Sequence, residues 1–249
     1  MGARRRLDAE LLRRALVSSR REGGDLIEAH RVLVNGSVAE KAARMVDPGD
    51  AIVIQGSPAR FVSRGGEKLD HALEHFGVEV IGLRVLDAGA STGGFSDCLL
   101  QRGALHVVAL DVGHGQLHPK VRDDGRVSVM ERCNVRTVGP EDIGGAVDLV
   151  VADLSFISLG KVLPALVGAA RPGAGLILLV KPQFEAGRVE VARGRGVITD
   201  PAIHERVRDD VHNGLVAAGT DVRGWTDSPL TGADGNREFL VYAVRKAQP

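Results

Sequence analysis

The sequence predicts an α/β fold built on a mostly parallel β-sheet, preceded by a small α+β domain. Two observations support this prediction. Between residues 84 and 218, short apolar runs alternate with helical patterns, and the runs are continuously apolar, as strands covered on both faces should be. Residues 1–56 instead read as two helices followed by short strands and tight turns. We therefore expect a first domain over 1–56, a linker over 57–62 and a second domain over 63–249.

The first domain begins with a predicted helix over residues 7–16, for which Asp8 is the expected N-cap. The apolar face of this helix comprises Leu7, Leu11, Leu12, Ala15 and Leu16. Ser19 and Glu22 have capping-box spacing and open a second helix. Asn35-Gly36 predicts a β-hairpin, and a Pro-Gly turn precedes a strand that ends near residue 54.

The second domain contains five predicted strands of the buried type, at 84–89, 106–111, 126–130, 147–153 and 175–181. Helices are expected between them, near 68–76, 94–102, 159–170 and 201–218. Two further strands follow, and the last of them, "FLVYAV", is expected to be antiparallel. Together they predict a seven-stranded sheet.

The composition is that of an ordinary globular protein of 249 residues, 44% hydrophobic and 26% charged. No apolar run is long enough to span a bilayer, and the basic N-terminus lacks the apolar core of a signal peptide. Cys98 and Cys133 form neither a disulfide framework nor a CxxC metal pair. We therefore expect a cytoplasmic protein with no membrane partner and no bound metal.

Charge is unevenly distributed, although the net charge is zero. Residues 1–60 contain eleven Arg and Lys against eight Asp and Glu, an excess that suggests a polyanionic partner. The stretches "RLDAELL", "RVLVNG" and "GDAIVI" resemble the small RNA-binding domain called the alpha-L motif, first known from a ribosomal protein of the small subunit. This resemblance implies that the helices present arginines to an RNA phosphate backbone, whereas the alternative is a solvated basic face. The candidates are Arg4, Arg5, Arg6, Arg13, Arg14, Arg20, Arg21 and Arg31.

The stretch "VLDAGASTGGFSDCLL" predicts a cofactor-binding loop between a buried strand and a helix. Glycines at this turn let a ligand approach the backbone, and the helix start offers amide donors. The spacing does not fit the nicotinamide fingerprint G-x-G-x-x-G, whereas an acidic residue just before the first glycine is typical of S-adenosylmethionine enzymes. Asp111 ends the next strand, where its carboxylate can accept hydrogen bonds from ribose hydroxyls. The candidate cofactor-binding residues are Asp87, Gly89, Ala90, Ser91, Gly93, Gly94, Phe95, Asp111 and Asp153.

Four polar residues stand at strand ends or helix starts. Asp153 and Lys181 follow the fourth and fifth strands, and ligands of open parallel sheets bind outside such carboxyl ends. We therefore expect both side chains in the same crevice as the glycine loop. Lys68 in "SRGGEKL" and Glu238 in "GNREF" begin other elements, and their spacing alone does not bring them to this crevice.

Five motifs in this order, "SRGGEKL", "DAGASTGGF", "VADLSFISL", "KPQFE" and "GNREF", resemble the TlyA family, once called hemolysin A. The resemblance covers nearly the whole chain. It implies a Rossmann-like class I methyltransferase fold of the FtsJ type and an enzyme that uses S-adenosyl-L-methionine to methylate the 2′-hydroxyl of cytidines in ribosomal RNA, in one or both ribosomal subunits. It also implies a junction that couples RNA engagement to cofactor binding, here Arg60, Phe61 and Val62. The catalytic tetrad that it implies is Lys68, Asp153, Lys181 and Glu238.

The chemistry explains why such residues are needed, because a ribose hydroxyl must lose its proton as it attacks a methyl group. A lysine with the usual pKa of about 10.4 is mostly protonated near neutral pH. Nearby cations lower such a pKa, and carboxylates raise it. The hypothesis is that Lys181 acts as the base or orients the hydroxyl, that Asp153 holds it, and that Lys68 and Glu238 position the ribose. Arg64 would meet a phosphate, and the glycines beside it would give the backbone freedom near the substrate.

Three other functions are disfavoured for the whole chain. The complete set of motifs disfavours an RNA-binding protein with a decayed methyltransferase fold. The lack of an evident membrane helix disfavours a cytolysin. The glycine spacing disfavours a nicotinamide oxidoreductase. His114 and His118 have helical spacing but lack the acidic companion of a metalloprotease motif. Phe156 and Phe184 are expected as pocket walls, with stacking on the target base as the alternative. The target nucleotide and the oligomeric state stay open.

Overall fold

The computed structural model describes residues 4–17, 19–56, 59–232 and 234–247, without the side chains of Arg21 and Arg188. The chain divides into two compact units, Met1–Ala59 and Arg60–Pro249. Residues 57 and 58 of the predicted linker, and the side chain of the RNA-contact candidate Arg21, lie outside what is described. The predicted domain boundaries stay predictions.

The first unit contains β1 (Arg5–Arg6), α1 (Leu7–Arg13), α2 (Arg20–Glu28), β2 (Val32–Val34), β3 (Ser37–Val38), β4 (Met45–Val46) and β5 (Ile52–Ile54). β2 pairs antiparallel with β3 and β5, and β1 pairs with β4. The predicted hairpin is confirmed, because Asn35 and Gly36 have φ angles of 52° and 82°, as a type I′ turn requires. Ser19 is confirmed as an N-cap, since its side chain accepts a hydrogen bond from the Glu22 amide.

The first helix begins at Leu7 as predicted, but its predicted N-cap and its predicted end were wrong. The N-cap of α1 is Arg6, and Asp8 lies buried inside the first turn. The helix ends before Ala15 because that residue takes a left-handed backbone conformation with φ of 54°. Leu12 and Leu16 are each 40% exposed and lie outside the core that the periodicity assigned to them.

The second unit begins with α3 (Gly65–Phe76), β6 (Arg84–Ala88), α4 (Gly94–Gln101), β7 (His106–Leu110), α5 (Pro119–Arg122), β8 (Val127–Met130) and β9 (Val147–Ala152). It continues with α6 (Leu163–Ala169), β10 (Ala170–Val180), α7 (Pro182–Glu185), α8 (Arg188–Arg193), α9 (Pro201–Ala217), β11 (Thr220–Asp227) and β12 (Phe239–Arg245). The helix predicted over 159–170 is divided into a 3-10 turn, Leu159–Lys161, and α6, whose first turn accommodates Pro164.

These strands form a seven-stranded sheet in the order β11-β12-β10-β9-β6-β7-β8. β12 runs antiparallel to both of its neighbours, and the other pairings are parallel. The prediction of a mostly parallel seven-stranded sheet with an antiparallel last strand is therefore confirmed. This arrangement gathers the carboxyl ends of six strands at one edge of the sheet.

Helices cover both faces of the sheet, which explains why the strands are continuously apolar. Alternate strand residues point to opposite faces: Leu86 and Val150 pack with Leu166 and Val207 of α6 and α9 on one side. On the other side, strand residues pack with α3, α4 and α5. Among the residues with described structure, no helix is both long and apolar enough to cross a bilayer.

Candidate active site

The carboxyl ends of β6, β9 and β10 lie side by side, and the start of β12 adjoins them. Asp153 follows β9 and Lys181 follows its parallel neighbour β10, so both side chains leave the sheet at the same edge. Phe239 of β12 pairs with Val180, and the preceding residue, Glu238, therefore reaches the edge beside Lys181. Strand register thus gathers three members of the predicted tetrad.

The four tetrad residues form two lysine–carboxylate ion pairs. Lys181 Nζ lies 2.5 Å from Asp153 Oδ1 and donates a directed hydrogen bond to Ser155 Oγ at 2.9 Å. Lys68 Nζ, from the first turn of α3, donates to Glu238 Oε2 at 2.5 Å. The Lys68 and Glu238 side chains are 9% and 2% exposed, so the second pair is almost completely withdrawn from water.

The loop before β12 encloses Glu238. A Cβ atom placed on Gly232 would lie 2.6 Å from Glu238 Oε1, so a side chain at this position would displace the carboxylate. Asn236 is fully buried, and it accepts a hydrogen bond from the Ile198 amide and donates one to the Gly196 carbonyl, both at 2.9 Å. Sequence reasoning missed this role of Asn236, for which the "GNREF" motif was the available signal.

The predicted cofactor loop has the backbone that its glycines indicated. Gly89 and Gly93 have φ angles of 88° and 93°, and a Cβ on Gly89 would lie 2.5 Å from the carbonyl oxygen of Asp153. Asp87 lies beneath the loop, fully buried, with Oδ2 accepting from Ser96 Oγ at 2.6 Å. Its Oδ1 has no hydrogen-bond partner among the described residues. Burial raises the pKa of Asp87 to about 7.

Asp111 joins this loop to the end of β7. Its carboxylate accepts hydrogen bonds from the Ser91 amide at 2.8 Å and from the Gly113 amide at 2.6 Å. Ala90 and Phe95, also predicted to bind the cofactor, are buried against the core. Asp111 thus holds the loop in shape, and its carboxylate has further lone pairs for a ligand.

The carboxyl groups fit a cationic ligand such as S-adenosylmethionine, which carries a sulfonium and an amino group. Burial is the main cause of the raised pKa of Asp87, and the hydrogen bond from Ser96 opposes it. The charges of Asp153 and Asp111 raise this pKa further, so the three carboxyl groups lie close together. The unpartnered Asp87 Oδ1 adds an acceptor that a bound cation would satisfy. Gly89, which has no side chain, lets the loop lie directly against the Asp153 carbonyl and so keeps the glycine loop beside the end of β9.

The "SRGG" stretch packs the start of α3 against the start of α4. A Cβ on Gly94 would lie 2.1 Å from Ser63 Oγ, and one on Gly66 would lie 2.3 Å from the Phe61 ring. Neither Gly65 nor Gly66 takes a left-handed conformation. The structure therefore gives these glycines a different role from the predicted backbone freedom: they leave room for close helix packing.

Phe156 is not the pocket wall that was expected. Its side chain is 91% exposed, and its φ of 64° is unusual for a bulky residue. The ring of the partly buried Phe184 lies 5.2 Å away, and Lys181 Nζ lies 5.9 Å from the centre of that second ring. Phe156 thus projects from the edge of the sheet that carries the Lys181–Asp153 pair. Of the two predicted roles for Phe156, stacking on the target base is the one that its exposure still allows.

The predicted RNA-contacting arginines of the first unit differ in their availability. Arg14 is held internally, since it pairs with Glu10 and donates to the carbonyls of Pro48 and Asp50. Arg31 donates to the Gln55 carbonyl. Four further arginines each pair with a carboxylate, but their side chains are about half exposed or more: Arg4, Arg6, Arg13 and Arg20.

Further basic side chains lie outside these candidates. Lys41 and Arg44 line an open groove of about 420 Å³ together with the exposed Val38, and sequence reasoning missed both because neither lies on a helix. Arg64 of the second unit, by contrast, was predicted to meet a phosphate; it is exposed, and its Nη2 lies 3.5 Å from the Thr231 carbonyl.

The paired histidines have local structural partners. His114 Nδ1 contacts Glu131 at 2.6 Å, and His118 caps α5 by accepting from the Lys120 amide. Over the described parts of the chain, no group of three or more His, Cys, Asp or Glu is placed to hold a metal ion.

Comparison with known proteins extends over both units. Residues 61–245 match the FtsJ-like methyltransferase family, and residues 5–52 match the S4 domain. The 16S/23S rRNA (cytidine-2′-O)-methyltransferase TlyA of Mycobacterium tuberculosis is 51% identical over 97% of this chain and 90% of its own length. Hemolysin A of Brachyspira hyodysenteriae is 39% identical over 96% of this chain and 99% of its own.

A solved structure agrees with these matches. The structure of a hemolysin from Streptococcus thermophilus superimposes with a TM-score of 0.80 at 39% identity, covering 99% of this chain and 90% of that one. The matches span the first unit, the glycine loop and the motifs of the tetrad in their order. The chain therefore belongs to the FtsJ-like methyltransferases and, with its S4 domain, to the TlyA family.

Proposed function

We propose that this chain is an S-adenosyl-L-methionine-dependent methyltransferase that modifies the ribose 2′-hydroxyl of cytidine in ribosomal RNA. The observation that carries the proposal is the Lys181–Asp153 pair beside the glycine loop at the carboxyl edge of the sheet. The M. tuberculosis relative is named for this activity on 16S and 23S rRNA, and a relative from Campylobacter jejuni for 23S rRNA. Ribosomal subunits in the cytoplasm are the proposed substrates.

The glycine loop would hold the methyl donor, which supplies an electrophilic methyl group when bound. Gly89 lets the loop pack against the Asp153 carbonyl, and Asp111 holds the loop at the Ser91 amide. The carboxyl groups of Asp87 and Asp153 would complement the cationic end of the donor.

Lys181 would act on the hydroxyl that attacks. An ammonium group has three N–H donors. The hydrogen bond to Ser155 fixes the direction of one of them, and Asp153 holds the ammonium group by charge without accepting a directed hydrogen bond at Oδ1, so donors remain for a substrate oxygen. In its ammonium form Lys181 would orient the 2′-hydroxyl. In its neutral amine form it would accept the hydroxyl proton as the oxygen–methyl bond forms and the bond from the methyl group to the donor sulfur breaks.

Lys68 and Glu238 would form the opposite wall and position the ribose. Their ion pair is nearly buried and joins α3 to the start of β12. A rigid pair of this kind offers a donor and an acceptor in fixed geometry to sugar hydroxyls. Its rigidity would keep the ribose within reach of Lys181.

The S4 domain and exposed cations of the second unit would bind the RNA. Arg4, Arg6, Arg13 and Arg20 would exchange their carboxylate partners for phosphates, and Arg64 would contact a phosphate close to the site. Phe156 would stack on a nucleotide base. Arg14 and Arg31, which hold internal carbonyl groups, would contribute to structure more than to RNA contact.

The test uses labelled methyl donor with separated ribosomal subunits. Wild-type protein should label at least one subunit, and Lys181→Ala should lower the rate by about 10² to 10⁴-fold, the usual contribution of a proton-transfer group. Calorimetric titration should show that the variant still binds S-adenosylmethionine. The matched control is Lys246→Ala, which removes a surface lysine that pairs with Asp221. Near-normal turnover by Lys181→Ala would refute the assignment, and failure of wild-type protein to bind the donor would favour a decayed fold.

A further inference from the structure

Residues 153–158 form a short loop, here called the site loop, between β9 and the 3-10 turn Leu159–Lys161. It carries Ser155, which receives the hydrogen bond from Lys181, and the exposed Phe156. Phe156 has a left-handed backbone conformation with φ of 64°, which residues with a side chain rarely adopt. Surrounding contacts must therefore hold the loop in this conformation.

Glu185, the last residue of α7, makes such contacts. Its Oε2 accepts a hydrogen bond from Ser158 Oγ at 2.7 Å, and its Oε1 accepts one from the Leu159 amide at 2.8 Å. Ser158 Oγ in turn accepts from the Gly160 amide at 3.3 Å. One carboxylate thus fixes both the end of the site loop and the start of the 3-10 turn.

The two ends of the site loop are tied to one short segment. At its beginning, Asp153 and Ser155 contact Lys181, which immediately precedes α7. At its end, Ser158 contacts Glu185, which closes α7. The distance between Lys181 and Glu185 therefore determines where the two ends of the site loop lie. The contacts with Glu185 are strong, because hydrogen bonds to a charged acceptor are about twice as strong as neutral ones.

We propose that Glu185 is a positioning residue for methyl transfer: it holds the site loop so that Ser155 meets Lys181 and Phe156 projects towards the substrate. The inference rests on the proposed function. Glu185 touches neither the glycine loop nor Lys181 in the described contacts, so its effect should fall on the chemical step and not on donor binding.

The variants are designed to separate the hydrogen bonds from simple stability. Glu185→Ala removes both acceptors. Glu185→Gln keeps an acceptor for the Leu159 amide and a polar group for Ser158, and should rescue the function. The matched control is Glu190→Ala on α8, a carboxylate that contacts the Gly187 amide and Arg206 instead of the site loop.

Three readouts are measured on the full-length protein. Glu185→Ala should lower kcat on ribosomal RNA by about 10²-fold, the usual effect of misplacing a catalytic group by about 1 Å. Its Kd for S-adenosylmethionine should stay unchanged, and hydrogen exchange of the Leu159 amide and its neighbours should become faster. Glu185→Gln and Glu190→Ala should resemble wild type in all three.

Several outcomes would overturn the proposal. These are wild-type kcat or unchanged loop exchange in Glu185→Ala, an equal loss of donor binding, or a Glu185→Gln variant as inactive as Glu185→Ala. The exchange measurement needs no RNA. If wild-type protein fails to methylate RNA while the loop still loosens in Glu185→Ala, the proposed function fails and the loop contact stands.

Discussion

Replacement of Lys68 by methionine should strongly destabilise the second unit, because it leaves the carboxylate of Glu238 buried without its partner. That side chain is 2% exposed, and Gly232 closes off one of its oxygens. Methionine preserves most of the volume of lysine, so the loss is mainly electrostatic. Breaking a buried ion pair by removing one partner costs about 3–5 kcal/mol.

The single tryptophan makes this cost measurable for one unit of the chain. Trp225 lies in β11 and packs against the core of the sheet, and the first unit contains no tryptophan. Urea unfolding followed by Trp225 fluorescence therefore reports on the second unit. Lys68→Met should lower its free energy of unfolding by about 3–5 kcal/mol.

The double variant Lys68→Met/Glu238→Met provides the control. It removes the unpaired charge, and a buried ion pair replaced by apolar residues of similar size is often neutral in stability. We expect it to regain most of the lost free energy. If the single variant costs less than about 1 kcal/mol, as an exposed pair would, or if the double variant is no more stable than the single one, the burial argument is refuted.

Two further effects follow from the structure. Burial raises the pKa of Asp87 from the ordinary 3.8 to about 7. Between these two pH values the folded state therefore binds more protons than the unfolded state. The free energy of unfolding falls as pH rises through this window, by roughly 4 kcal/mol in all. Asp87→Asn should remove that pH dependence, measured as urea unfolding by Trp225 fluorescence from pH 4 to 8; an unchanged slope would contradict it. Ser19→Ala should cost α2 about 1 kcal/mol by removing its N-cap, seen as faster hydrogen exchange of the Glu22 amide in the full chain, and unaltered exchange would speak against the cap.

Periodicity and strand-end rules predicted the sheet and half of the candidate site. Buried apolar runs identify parallel strands covered by helices, and parallel strands bring their carboxyl ends to one edge. Asp153 and Lys181 could therefore be placed together from their positions alone. Glu238 could not, because its position depends on the register of an antiparallel strand that inserts beside β10.

Features that depend on side-chain contacts between distant segments were beyond the sequence. Lys68 and Glu238 are 170 residues apart, and only the family resemblance joined them before the structure did. Asp8 was assigned as an N-cap because a carboxylate is favourable throughout the first helical turn, which does not distinguish the cap from the positions after it. Asn236 and Glu185 stand in the "GNREF" and "KPQFE" motifs, but neither residue type indicates a role by itself, and the role of each is evident only from the groups that it meets.

The most direct test of the proposed function is the chemical position of the transferred methyl group. Ribosomal RNA labelled by wild-type protein is digested with alkali, which cleaves through the free 2′-hydroxyl and therefore stops where that oxygen carries a methyl group. The proposal predicts that the label remains in an alkali-resistant dinucleotide whose 5′ residue is cytidine. Label recovered on a mononucleotide base, or no label in RNA from either subunit, would contradict it.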